Sequence, residues 1–544
     1  MKKHLPFVIV SSVVFSFGLG LFAEPVVSAG TAEYAEYAPE MRELHVRIPL
    51  KTNADGGNDV FVPQGVLVDG LSPIYALWYF NGTTFDYEPM RDVSKQKIEV
   101  FVPVSWKPSE EHVINLTYNY CGKNGMISLK TSTPSEGGCW QNAQGSGNIG
   151  FCVKEECGLA RTNEIVDFDV VIEKKLFPDP EKNVRATILE SKKHIPLPCQ
   201  VYEVEDINEA LVRFRAAVPI TLPAGGSTIV FLWNCRPDEK TPDNGLLKMF
   251  SSTDAVVVEN DSYSIRLSPH SGQMMTWRDL KRNVLFDYQD PRKMEESARV
   301  INRTPDVYRV GKPWSHALDW QAGQYEQKNI IGPVFIETIR WGKMPFIDEF
   351  SCNVRYRFMA KRQEVVITSA LSADKDVKVM GLRNGGVSLT PSLFTHAAWP
   401  LQNGDVKILP IDLALGNDTG APAAARMPTD TPWIALYHAD KKYGFSVHTI
   451  RYAYFNKGQH HPVTARRQSY VSVYRHYTIY TIRSMTQTYL ANIHSLPVKV
   501  YAGTELYEEM AFVPFDLLPG SGEEMFKQVE ETHKRLINPL VIVP

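Results

Sequence analysis

Between Val258 and Asp287 the chain alternates apolar and polar residues twice, with a turn between the two runs. Tyr263, Ile265 and Leu267 occupy every second position, which is the period of a strand with one buried face. The residues from Ser268 to Gly272 have turn chemistry. A second strand carrying Met275 and Trp277 then meets a polar break at 279–283. This strand–turn–strand signature sets the class of structure, because a two-residue period cannot present one face of a helix to a core.

The same period recurs at 44–50, 98–104, 113–118, 166–172, 211–218 and 227–233, with Pro, Gly and Asn/Asp turns between the runs. Regularly spaced short strands are the pattern of β-sandwiches. The chain is therefore expected to be mainly β. At 544 residues it is too long for a single core. A first β-sandwich region is expected over 42–236, with a Cys-rich loop at 121–157 that divides it into two small sandwiches. Residues 237–250 read as a Pro/Asp-rich linker. A larger β-domain follows at 251–520, and 521–544 forms a C-terminal helix and tail. That helix is expected to start at a capping box of Ser521 and Glu524, to present Met525, Val529 and Leu536, and to stop at Asn538-Pro539, with 540–543 docking as an edge strand.

Residues 1–29 read as a secretory signal peptide. Lys2 and Lys3 precede an apolar run from Leu5 to Ala23, and Val27-Ser28-Ala29 offers a small-residue cleavage site; residues 30–41 are a linker. The expected location is secreted, periplasmic or on the cell surface, with no stable membrane insertion once the signal is removed. Six of the seven cysteines lie between Cys121 and Cys235, and disulfides within the loop and between Cys199 and Cys235 are expected, leaving Cys352 as a buried thiol. A formal net charge of −3 gives no electrostatic case for nucleic acid.

Several motifs are set aside. Gly145-Ser-Gly147-Asn-Ile-Gly150 matches a dinucleotide-binding pattern in letters only, since no helical pattern follows it. The acidic run 53–59 lacks the twelfth-position carboxylate of a calcium loop. No Cys-x-x-Cys pair or His lies between Cys121 and Cys157 to favour zinc, and no cofactor is expected.

The hairpin at 258–287 resembles the entry hairpin of the galactose-mutarotase-like β-supersandwich, found in sugar epimerases, some glycosidase domains and several polysaccharide lyase families. The resemblance implies a supersandwich in the C-terminal half and a carbohydrate ligand. Four constellations in that half carry candidate chemistry. In the loop 311–320, Trp314 and Trp320 can stack on a sugar face, while His316 and Asp319 can bond hydroxyls or move protons. Thr395-His396, with Trp399 beyond it, resembles the Thr-x-His element of mutarotases, here without the spacer. Arg451, Tyr474, Arg475 and His476 belong to a basic, aromatic run suited to an anionic sugar, where Arg can pair with a uronate carboxylate. Glu508 stands on a late strand, where mutarotases place their catalytic Glu.

The assembled expectation is one cleft with His316, His396, Tyr474 and His476 as catalytic groups. Trp314, Asp319, Trp320, Trp399, Arg451, Arg475 and Glu508 would bind the substrate. The activity this implies is β-elimination on a uronate-containing polysaccharide by an exported lyase. Two readings stand beside it. One is a glycoside hydrolase or sugar epimerase using Asp319, Glu337, Glu508 and Glu509; the other is a carbohydrate-binding or cell-surface module without catalysis.

Overall fold

The computed structural model describes the chain from Asn148 to Val543 except 191–192, 236–241, 243, 253, 289–299, 303–304, 310–312, 402, 412–422, 428–430, 458–467, 475–477 and 485–497, together with separate segments between Val27 and Ser132. The signal peptide expected over 1–29 falls almost wholly outside the described residues, as do Cys121, Cys139, Arg475 and His476. Among the described residues, no helix is long and apolar enough to cross a membrane.

Mainly β structure is what the alternating sequence builds. The spine is an antiparallel run of strands in a 14-stranded sheet. It passes through Glu326–Ile331, Phe335–Lys343, Phe350–Met359, Val365–Ala373, Thr504–Asp516 and Tyr443–Lys457. The period of two is plain in Phe350–Met359, where Phe350, Cys352, Val354, Tyr356 and Phe358 point inward and the residues between them are half-exposed. A 7-stranded sheet, with Val377–Leu389 at its centre, contributes Leu382, Val387 and Leu389 to the same core. The entry hairpin forms at Tyr263–Leu267 and Met274–Asp279, with Tyr263, Ile265 and Trp277 fully buried. Its turn closes through Gly272, whose φ of 65° is readily available to glycine.

The first β-region contributes to more than one sheet. Strands Glu43–Thr52, Lys97–Pro103 and Ile74–Ala76 extend the large sheet through Tyr443–Lys457. Residues 148–234, joined by Val541–Val543 as the fifth strand of one sheet, make a sandwich of a 5-stranded and a 3-stranded sheet, with Phe151 and Phe168 packed at 4.6 Å in its core. A charged seam joins this sandwich to the large sheet. Arg357 reaches across to both oxygens of Asp167, at 2.8 and 2.9 Å, and its guanidinium lies 4.0 Å over the Phe335 ring. Beside it, the Gln200 side chain accepts the backbone N–H groups of Val334 and Phe335.

Two local expectations change. The α-helix spans Lys527–Ile537 and is preceded by a 3-10 turn at Gly522–Phe526; Ser521 makes no side-chain cap, and Phe526 supplies the most deeply buried anchor. Asn538 does end the helix, and Val541–Val543 pairs with Cys152–Lys154 as an edge strand. The expected disulfides do not form among the described residues: Cys152, Cys157, Cys199 and Cys352 are free thiols. Cys199 is a core residue of the small sandwich, where burial pushes its thiol up to about 12.

Candidate functional site

The candidate site lies at one edge of the 7-stranded sheet, where Ser315–His316 pairs with Asp306–Arg309 and that strand pairs with Val377–Leu389. Register places His316 opposite Asp306, and Asp306 opposite Arg383. Directly opposed residues on antiparallel strands share a face, so the three side chains meet. Arg383 donates to both oxygens of Asp306, at 2.7 and 2.5 Å. Nδ1 of His316 lies 3.2 Å from the same carboxylate. Asp306 is fully buried, whereas the His316 side chain keeps 13% of its surface. Burial alone would raise the Asp306 carboxyl, but the Arg383 guanidinium and His316 imidazole outweigh it and hold the group below its ordinary value.

Aromatic rings line the same edge. Trp314 stacks on Tyr308 at 4.7 Å and on His316 at 5.9 Å, both nearly parallel, and the Arg383 guanidinium sits 4.2 Å from the Trp314 ring. Trp314 and His316 are half-buried, which leaves surface for a ligand. Asp319 accepts the His316 backbone N–H at 3.2 Å, fixing the short 3-10 turn that follows the strand. Tyr308, His316 and Arg383 already lie against the Trp314 ring, so the arrangement can offer a ligand the part of that ring left exposed and an imidazole lying beside a carboxylate.

Sequence reading reached Trp314, His316 and Asp319 but not their partners Asp306 and Arg383, which register alone brings alongside. A signal for Arg383 did exist. Asn384-Gly385-Gly386 interrupts a strand, and paired glycines in a strand mark a bulge. The bulge is there, with Gly385 at φ 73°. It turns Asn384 inward, where its amide donates to the backbone carbonyls of Ser369 and Leu506.

The other expected members are dispersed. Trp320 is fully buried and donates its Nε1–H to the Lys343 carbonyl at 2.7 Å, so it is a core residue and offers no face to a sugar. Trp399 is buried in the same core from the strand His396–Pro400. His396 is half-buried, bonded through Nδ1 to Thr395 Oγ1 at 2.8 Å and stacked on Tyr437. Its strand pairs with Trp433–His438 in the large sheet, not in the sheet that holds His316.

Tyr474 does share the sheet of His316, but at a distance. From His316 the ladder runs through Asp306, Arg383 and Ser484 to Gln468, and Tyr474 stands six residues farther along that strand. Four ladder steps of about 4.8 Å and, at right angles to them, six residues of about 3.3 Å separate the two backbones by roughly 28 Å along the sheet. Within the 7-stranded sheet His316 and Tyr474 thus stand far apart, and His396 belongs to the 14-stranded sheet. Arg451 is buried on Tyr443–Lys457 opposite Glu509. Glu508 is 1% exposed, on the strand face that also carries Leu506 and Met510 into the core. Among the described residues there is no group of three His, Cys, Asp or Glu side chains able to hold a metal ion.

No family model matches the chain, and no curated protein does. Its fold is similar to solved structures. An alpha-mannosidase from Enterococcus faecalis aligns with a TM-score of 0.46 and 10% identity, over 73% of this chain and 46% of that one. A glycosyl hydrolase family 38 protein from the same organism gives 0.45 and 10%, over 73% and 47%. This chain thus spans less than half the length of either. A galactose mutarotase related enzyme from Lactobacillus acidophilus gives 0.29 and 10%, over 49% of this chain and 98% of that one. At such scores and identities, function has to be argued from this chain's own side chains.

Proposed function

We propose that the chain is an exported carbohydrate-active protein in which a sugar ring packs on Trp314 and His316 exchanges a proton with it. The observation that carries this reading is the contact of His316 with buried Asp306 at 3.2 Å beside the half-buried Trp314 ring. An imidazole beside a carboxylate, within reach of a ligand, is the pairing a general acid–base uses. Arg383 keeps Asp306 ionised and fixes its direction.

Proton transfer at a sugar carbon or hydroxyl serves both an epimerase and a lyase. β-Elimination from a uronate also needs a cation on the substrate carboxylate. Arg383 already grips Asp306 with two hydrogen bonds, so a lyase would have to draw that cation from elsewhere. Hydrolysis would require two carboxylates across a cleft. Glu337 is ion-paired with Arg355 at 3.1 Å, Glu508 is buried, and Asp319 holds a backbone N–H, so those candidates support hydrolysis less.

The test is to incubate the mature protein with neutral and uronate-containing oligosaccharides and follow three products: unsaturated uronate by ultraviolet absorbance, new reducing ends, and anomeric or epimeric exchange by NMR. His316→Asn should abolish the reaction found and Asp306→Asn should cut it at least tenfold, with sugar binding kept in both. Turnover unaffected by His316→Asn would overturn the assignment. Binding without any turnover would leave a recognition module.

A further inference from the structure

The hairpin joining Phe335–Lys343 to Phe350–Met359 carries an aromatic ring that the fold does not use. Met344 and Ile347 of its tip are buried in the main core, yet Phe346 between them is 64% exposed. Its backbone is left-handed, with φ of 63°. A bulky residue costs about 1–2 kcal/mol in that region relative to glycine, and burial of its own ring repays none of it here. Backbone held this way at the surface, with a large apolar side chain turned outward, points to a role in recognition.

The tip is fastened at both ends to the flanks of the Trp314 site. On one side the Lys343 carbonyl receives the Trp320 indole N–H at 2.7 Å, four residues after His316. On the other, Glu349 pairs with Arg309, the residue after Tyr308. Tyr308 is the ring on which Trp314 stacks. The tip is further stiffened by the Met344 N–H bond to the Phe350 carbonyl at 2.8 Å and by Ile347 N–H to Met344 at 3.3 Å. Phe346 is thus an exposed aromatic ring on a loop whose ends are tied to the segments that flank Trp314.

We propose that Phe346 forms a second stacking subsite, taking the apolar face of a glycan residue linked to the one on Trp314. The protein would then select oligosaccharides over monosaccharides. The ligand class is a chain of at least two pyranose residues, and the inference rests on the sugar-binding reading of Trp314. Glycan chains meet both requirements of two separated rings: each pyranose presents C–H groups to a flat aromatic face, and the linkage repeats that face along the chain.

Calorimetric titration with galacturonate and mannose oligomers of one to four residues tests this. Affinity should rise at least tenfold between the monosaccharide and the longer oligomers. Phe346→Gly suits the left-handed backbone and keeps the fold; it should remove that rise while leaving monosaccharide affinity unchanged, and Phe346→Tyr should retain it. Trp314→Ala should weaken every length. A rise that survives Phe346→Gly would overturn the second subsite alone. No binding at any length would overturn the Trp314 reading and this inference together.

Discussion

The carboxylate of Glu508 occupies the space a side chain at Gly385 would need: a Cβ there would stand 2.2 Å from the Glu508 carboxyl carbon. Gly385 is also the bulge residue with φ of 73°. Gly385→Ala therefore meets two penalties, a left-handed backbone worth about 1–2 kcal/mol and a collision inside a packed core. We expect a loss of roughly 2 kcal/mol or more by denaturant unfolding. Shortening the obstacle in Gly385→Ala/Glu508→Ala should not restore stability fully, because the backbone penalty remains.

His448 gives the chain an acid-sensitive point. It is fully buried and stacked on His533 at 5.9 Å. Ser446 donates its hydroxyl to the Val513 carbonyl, so the 2.8 Å contact between His448 Nε2 and Ser446 Oγ has the imidazole as donor. Nδ1 is left buried without a hydrogen-bond partner among the described residues. Burial, then the nearby His533 and Arg535, hold the ring well below the ordinary histidine range. The unfolded chain takes up the proton first, near its ordinary value of about 6.5, so stability falls as pH drops below that, by up to about 1.4 kcal/mol per unit. Thermal unfolding from pH 7.5 to 5 should show this slope, and His448→Gln should flatten it.

The seam between the small sandwich and the large sheet depends on Arg357. Its pairing with Asp167 is buried, and the Tyr202 hydroxyl donates to the same carboxylate at 2.7 Å. Asp167→Ala would leave the guanidinium with Glu337 as its carboxylate partner, at 3.4 Å, so the loss should fall short of the about 3–5 kcal/mol typical of fully breaking a buried pair. Limited proteolysis should then cut between the two units. The double replacement Asp167→Leu/Arg357→Met should recover much of the loss.

Thiol chemistry separates the free-cysteine structure from the disulfide expectation. Cys199 and Cys352 are buried and their thiols are pushed up by burial. Site-resolved alkylation should leave both unmodified in the native protein and label both after denaturation without reductant. A Cys199–Cys235 bond would instead block labelling until reductant is added.

What was legible in the sequence is what depends on near neighbours. The hairpin around Trp277, the alternation of the strands and the edge-strand tail Val541–Val543 all follow from a period and a turn. The candidate site was half legible. Trp314 and His316 stand in one short loop, but Asp306 and Arg383 are 77 positions apart and meet only through sheet register. The same cause misplaced the rest. Trp320 and Trp399 carry the same letters as a surface stacking residue, and only tertiary packing decides that they are core. Tyr474 belongs to the right sheet, yet strand order carries it to the far side.

The pairing of Val541–Val543 with Cys152–Lys154 also sets an order of events. A strand near residue 150 waits for a partner almost four hundred positions later, and closing so long a loop precludes early local assembly. During synthesis the small sandwich stays open along that edge until the rest of the chain has emerged. An exposed edge of this kind invites pairing with other chains. The tail is therefore a cap on an aggregation-prone border, and its removal should show first in the yield of soluble protein.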